Sequence, residues 1–394
     1  MTAPAVATLV GRVFRELMRA PTYARNSGAL RTIMAHSTPR RLLNLLLVEL
    51  EYRLRRTRLF GHPYVLVADP TNVCNLRCPL CSTGLLQQGR RAEMMPWETF
   101  TRIIDEMAPW AYKVNLFNWG EPLLHTHIFD MIRYARDKNL GTSMSSNMSI
   151  ELADDQIDEL IKSGLEFICL SVDGATQETY EKYRRRGDLS LVLQNVRRLI
   201  KRRRELGSRT PEIEWQMIPM KQNEHEVEDA RRLAAELGVD HFRCIPVGMP
   251  FDSPNPDVLR NQWFPTRVTA GKVAGGDEIA SNEKSRAACY FLYRYLVVNP
   301  DGRVSPCCVV SGQKNDFGDT GAGFGALWNN GSYRSARAQF VRGGRVSVPT
   351  VCDRCDLFEK RSQLAPPTGG SRRPGKTIQI RQERDTAHRP AGPG

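Results

Sequence analysis

The chain contains no run of eighteen apolar residues, so no segment is suited to cross a bilayer as a helix. Its N-terminus lacks the basic start, apolar core and small-residue cleavage site of a secretory signal, and the expected location is cytoplasmic. No internal repeat is present. Acidic residues are scarce at both ends. Residues 1–60 hold eleven Arg against three Glu, and 365–394 hold six Lys or Arg against two acids. Of the formal net charge of +13, only about +1 therefore falls on residues 61–364. Nucleic-acid binding calls for a basic body or stripe, so no nucleic-acid partner is expected. The basic ends read first as solvated faces.

What the chain does have is cysteine. Ten thiols without a secretory signal read as metal ligands rather than disulfides. The most informative run is Thr71-Asn72-Val73-Cys74-Asn75-Leu76-Arg77-Cys78-Pro79-Leu80-Cys81. Three thiolates on one short loop can bind three irons of a [4Fe–4S] cluster and leave the fourth iron open to a ligand. Zinc is the alternative, but its ligands usually come as two pairs. Tyr64–Ala68 reads as a buried strand feeding this loop, as at the active face of a β/α barrel.

From residue 61 the chain alternates apolar runs with amphipathic helical ones, which predicts an α/β fold of parallel β/α units. The expected strands are Tyr64–Ala68, Lys113–Phe117, Thr142–Ser146, Phe167–Val172, Glu212–Ile218 and Phe242–Ile245. The expected helices are Trp97–Met107, Ile128–Lys138, Asp154–Ser163, Leu189–Leu206 and Glu224–Leu237, the last stopped by Gly238. Six such units make a partial (β/α)6 barrel over 61–250. Around it the expected parts are a basic helical extension (1–60), an irregular linker (251–285), a small cysteine-containing domain (286–364) and a disordered basic tail (365–394).

Within the extension, Leu43, Leu46, Leu47, Leu50 and Leu54 share one helical face, with Arg53, Arg55, Arg56 and Arg58 near its end. This leucine stripe is expected to pack against the barrel. The competing reading is peripheral contact of residues 41–60 with an anionic membrane or a partner.

The Cys-x3-Cys-x2-Cys spacing resembles the signature of the radical S-adenosylmethionine (radical SAM) enzymes, and further motifs follow in that family's order. Asn118-Trp119-Gly120-Glu121-Pro122 resembles its Gly-Gly-Glu-Pro motif, with Trp119 at the first glycine position. Cys169-Leu170-Ser171-Val172-Asp173-Gly174 resembles its Ser-x-Asp-Gly strand ending. The resemblance implies a [4Fe–4S] cluster on Cys74, Cys78 and Cys81 that chelates SAM through the open iron. It implies that Gly120 and Glu121 meet the SAM amino group and Arg184 its carboxylate. Ser145, Asn147, Ser171 and Asp173 would meet its methionine or ribose, with Gln216 and Glu214 reaching cofactor or substrate.

Cys289, Cys307, Cys352 and Cys355 resemble the ligands of SPASM or twitch auxiliary domains and imply a second [4Fe–4S] cluster, with Cys308 spare. Four thiolates on zinc would be the alternative. Their spacing is close to that of one-auxiliary-cluster radical SAM alcohol dehydrogenases. The expected reaction is hydrogen abstraction from a small molecule, oxidising or epimerising a carbinol carbon of a sugar-like or aminocyclitol-like metabolite. A flavodoxin- or ferredoxin-type donor would supply the electron. Epimerisation needs a thiol that returns hydrogen, and Cys244 is the candidate, with Cys169 as the other. The competing functions are modification of a ribosomally made peptide and a non-enzymatic iron–sulfur electron carrier.

Overall fold

A computed structural model describes residues 29–251, 253, 255–266, 288–341 and 343–355. The expected tail at 365–394 lies outside the described residues, as do residues 1–28 of the extension. All six expected strands form: β1 (Val65–Ala68), β2 (Lys113–Asn115), β3 (Gly141–Ser146), β4 (Phe167–Ser171), β5 (Glu212–Met217) and β6 (His241–Cys244). They pair in parallel in sequence order.

The chain enters through α1 (Ala29–His36) and α2 (Pro39–Arg53). The crossovers carry α3 (Trp97–Met107), α4 (Ile128–Asp137), α5 (Asp154–Lys162), α6 (Gln177–Tyr183), α7 (Leu189–Glu205) and α8 (Val227–Leu237). Local chemistry sets their ends. Thr176 and Asp188 accept the Thr179 and Leu191 amides as N-caps of α6 and α7. Gly238 closes α8 at φ 82°, a left-handed cap that favours glycine.

Alternation along the strands sorts the side chains. Leu66, Val114, Met144, Ile168, Leu170, Ile213 and Trp215 point to the helices and are fully buried beside Phe100, Ile104, Ile132, Leu160 and Val196. This is the main core, and truncating a residue such as Phe100 to Ala would cost about 3–5 kcal/mol. The opposite face, lining the lumen, is polar.

Two expectations need correction. The stretch 251–285 is not wholly irregular, because α9 (Pro256–Trp263) forms within it. Its Trp263 packs edge-on against Tyr183 and joins Leu76, Leu80 and Met220 beneath the cysteine loop. The leucine stripe of α2 does not face the barrel either. The buried face of α2 is Arg41, Asn44, Leu45, Val48, Glu49, Glu51 and Tyr52, while Leu42, Leu43, Leu47 and Leu54 are exposed. The polar members win the inside because each finds partners there. Arg41 donates to the Ala108, His36 and Asn139 carbonyls, and Glu49 pairs with Arg294 at 2.7 Å.

Past α10 (Phe291–Arg294), the C-terminal part continues the same sheet. β7 (Tyr295–Val298) pairs in parallel with β1, followed by antiparallel β8 (Arg303–Ser305) and β9 (Gly318–Asp319). The result is one nine-stranded sheet in the order β6-β5-β4-β3-β2-β1-β7-β8-β9. Helices α11 (Phe324–Trp328) and α12 (Gly331–Ala338) complete this end.

Candidate active site

The cysteine loop leaves the C-terminal end of β1 and is pinned from several sides. Asn75 donates to the Ser149 carbonyl at 2.7 Å, the Arg77 amide donates to the Arg185 carbonyl at 3.0 Å, and the Arg77 guanidinium donates to the Cys74 carbonyl at 2.9 Å. Gly84 leaves room for the loop, since a Cβ there would lie 2.5 Å from the Cys78 amide nitrogen. Cys78 is buried, and Cys74 and Cys81 are half-buried. Burial, reinforced by the neighbouring thiols, pushes Cys74 up to about 12 and Cys78 to about 11. The Arg184 guanidinium, 4.0 Å from the Cys78 sulfur, pulls the other way. Such thiols stay protonated until a cation replaces the proton.

The Trp119–Pro122 turn presses onto this loop. A Cβ on Gly120 would lie 1.9 Å from the Thr71 carbonyl oxygen, so only glycine fits. The Glu121 amide donates to the Val73 carbonyl at 2.8 Å, and the Thr83 hydroxyl donates to the Trp119 carbonyl at 2.8 Å. Glu121 is buried, and its carboxylate accepts the Asn147 amide at 2.7 Å and the Leu123 amide at 3.2 Å. It therefore fastens the loops after β2 and β3 together. Burial pushes its carboxyl up to about 7.

Asn147 points at the cysteine loop, donating to Asn75 at 3.0 Å with its amide nitrogen 3.9 Å from the Cys74 sulfur. Ser145 and Ser171 stand side by side in the lumen, their hydroxyls 3.1 Å apart. Arg184 is half-buried while Arg185 and Arg186 are exposed, so the register places Arg184 alone at the loop. Asp173, expected at the methionine or ribose of SAM, lies beside Arg184 at the end of β4. It is fully buried, accepting Arg184 Nε at 2.6 Å and the Ile218 amide at 2.6 Å.

Parallel pairing puts Asn115 beside Ser143, Ser145 beside Cys169, Cys169 beside Glu214, Ser171 beside Gln216 and Gln216 beside Arg243. These side chains form one polar band across the lumen. Arg243 spans Glu214 at 2.7 Å and Gln216 at 2.6 Å. Cys244 is a correction. It follows Arg243 on the strand, pairs with Met217 and sits in the aliphatic core, where burial and the charges of Arg231, Asp173 and Glu228 act on it. It cannot serve the lumen, and Cys169 is the thiol that faces it.

Asp69 and Arg243 belong to the site and were missed. Asp69 is fully buried just past β1 and gathers the backbone amides of Asn118, Trp119 and Gly120. Its signal was an Asp at a strand end. That of Arg243 was the alternation His241, Phe242, Arg243, Cys244, polar against apolar.

The second thiol group gathers Cys289, Cys307, Cys352 and Cys355 from three segments. Cys307 feels the charges of Cys308, Cys289 and Cys352, and Cys352 those of Cys289 and Cys355. The thiols are neighbours, and among the described residues no three His, Cys, Asp or Glu side chains stand at metal-binding distances of one another. Both donor sets are all-sulfur, with Cys78 buried and the other six half-buried, which fits iron–sulfur clusters.

The model of the radical SAM superfamily matches residues 69–234, and that of SPASM, an iron–sulfur cluster-binding domain, matches 289–356. A tungsten-containing aldehyde ferredoxin oxidoreductase cofactor-modifying protein of Pyrococcus furiosus is 27% identical over 179 residues, covering 44% of this chain and 49% of that protein. A PqqA peptide cyclase of Ruegeria pomeroyi is 29% identical over 120 residues, covering 30% of this chain and 32% of that protein. The chain spans about a third to just over half the length of such curated relatives. Among solved structures, anSMEcpe with bound AdoMet matches with a TM-score of 0.52 at 17% identity, covering 75% of this chain and 84% of that one, a likeness of fold.

Proposed function

Because this chain belongs to the radical SAM superfamily and carries a C-terminal SPASM iron–sulfur domain, we propose that it oxidises or epimerises a carbinol carbon of a polar, sugar-like or aminocyclitol-like small molecule. The observation that carries this reading is the lumen band of Asn115, Ser143, Ser145, Ser171, Glu214, Gln216 and Arg243. A face of hydroxyls, amides and one ion pair suits a substrate rich in hydrogen-bonding groups and poorly suits an apolar one.

Cys74, Cys78 and Cys81 would hold the SAM-binding cluster, and Cys289, Cys307, Cys352 and Cys355 the auxiliary one. When bound, the first cluster with SAM supplies a 5′-deoxyadenosyl radical and the second supplies an acceptor for one electron. The protein's own residues do the rest. Gly120 and Glu121 hold the turn that faces the loop, Asp173 aims Arg184, and Ser145, Ser171 and Asn147 line the approach to the cofactor.

Glu214 is the group suited to take the hydroxyl proton of a carbinol being oxidised. It is buried and faces the lumen; desolvation raises its pKa while Arg243 opposes the rise. An external reductant must supply the starting electron, and a flavodoxin or ferredoxin would serve.

The test is to incubate reduced, cluster-loaded protein with SAM and carbon-deuterated polyols and aminocyclitols. Deuterium in 5′-deoxyadenosine together with a ketone or epimer supports the reading. Deuterium transfer only from ribosomal precursor peptides would replace it with peptide modification. No SAM cleavage at all would leave an electron carrier.

A further inference from the structure

The outward face of α2 is the feature of this molecule that neither the fold nor the reaction uses. Leu43 is 68% exposed, Leu54 59%, Leu42 47% and Leu47 36%, and the half-buried Leu46 and Leu50 lie on the same side. A soluble surface rarely keeps a row of leucines uncovered. Within residues 39–60 the outward charges beside the row are all of one sign. Arg40, Arg56 and Arg58 are exposed, and Arg53 and Arg55 half-buried. The two acids of residues 39–60, Glu49 and Glu51, are turned inward, bonded to Arg294 and Tyr64 and to the Phe60 and Gly61 amides. The face thus offers leucine and arginine with no exposed carboxylate among them.

We propose that α2 lies in the headgroup region of an anionic lipid bilayer, leucines toward the acyl chains and arginines among the phosphates. Two other occupants meet the same obstacle. A second copy docked through this face would set arginine against arginine. Residues 1–28 carry four Arg against one Glu, so they too bring like charge. Anionic lipid supplies the missing negative charge and a hydrocarbon phase together. Among the described residues no helix is long and apolar enough to cross a membrane, so the contact is peripheral.

The placement leaves the active site free. Arg41 binds the carbonyls of Ala108 and Asn139, just ahead of β2 and β3, so α2 covers the N-terminal ends of the strands. The cysteine loop lies at their C-terminal ends. A membrane under α2 therefore leaves the cysteine-loop end turned away from the lipid.

The experiment is flotation of the cluster-loaded full chain with vesicles of phosphatidylcholine alone or with about one third phosphatidylglycerol. The expected result is recovery with the anionic vesicles, reversed by high salt. The double variant Leu43→Glu/Leu47→Glu should lower recovery about tenfold or more, and Arg56→Glu/Arg58→Glu by a similar factor. These side chains are exposed or half-exposed, so SAM cleavage and thermal melting serve as controls that stay unchanged. Absence of flotation with anionic vesicles overturns the proposal. So does flotation that both variants retain. A dimer in sedimentation that Leu43→Glu/Leu47→Glu dissolves, without vesicle binding, would assign the face to a second copy instead.

Discussion

The two thiol sites are built in opposite ways. Cys74, Cys78 and Cys81 lie on a single loop, and the contacts that shape it are backbone and side-chain hydrogen bonds with the segments that follow β2, β3 and β4. Cys289, Cys307, Cys352 and Cys355 come from three segments that meet only when β7 joins β1 and α12 packs beside α10. The first site is a local construction on a rigid sheet. The second is an outcome of tertiary packing. The first should therefore resist distant perturbation, whereas the second should fail whenever packing at its end of the sheet fails.

The largest effect should follow from Cys78→Ala. It removes one of three ligands, so SAM cleavage should fall to background while the auxiliary site keeps its about four irons of about eight. Iron counting with electron paramagnetic resonance checks this, and loss of both clusters would break the contrast. Next comes Gly120→Ala. The new methyl cannot fit 1.9 Å from the Thr71 carbonyl oxygen, so the turn must shift off the loop. SAM cleavage should slow by about two orders of magnitude with the auxiliary signal intact, as expected for a misplacement of about 1 Å.

The reciprocal test is Arg337→Met. Arg337 is fully buried and donates to the Leu292 and Trp328 carbonyls at 2.9 Å, tying the segment after Cys289 to α11 and α12. Its loss strands those acceptors and should cost about 3 kcal/mol. The auxiliary cluster should be lost or labile, while Cys74, Cys78 and Cys81 still load. Loss of the first cluster before the second on heating would mean that the auxiliary site does not depend on this packing.

What could be read from residues alone follows the same division. The six strands and five helices were legible because periods of 2 and 3.6 are local, and the Cys74–Cys81 loop because its spacing is local. The pairing of β1 with β7 was not, since the two are separated by some 230 residues and nothing in either strand names its neighbour. The facing of α2 misled for a related reason. Leucines at helical spacing look like a core face, but Arg41, Asn44, Glu49 and Glu51 each had a buried partner waiting that only the fold reveals. Cys244 misled by one residue of strand register, which exchanges lumen for core.

The smallest expected effect concerns the scaffold of the local site. Glu121 and Asp69 are both fully buried, and desolvation raises each to about 7. A carboxyl whose folded pKa lies above its unfolded value binds more protons when folded. Stability from these two groups is therefore present below their unfolded pKa and is lost as pH rises toward about 7. For Glu121 the loss is on the order of 3 kcal/mol at most, spread between about pH 4.5 and about pH 7. Urea unfolding of the cluster-free protein at about pH 5 and about pH 8 should show the fall, and Glu121→Gln should flatten it. An unchanged slope in the variant would mean that the Asn147 and Leu123 amides already hold the carboxylate ionised. The turn would then be fastened by an anion across that pH range, and a bound ammonium would add little to its hold.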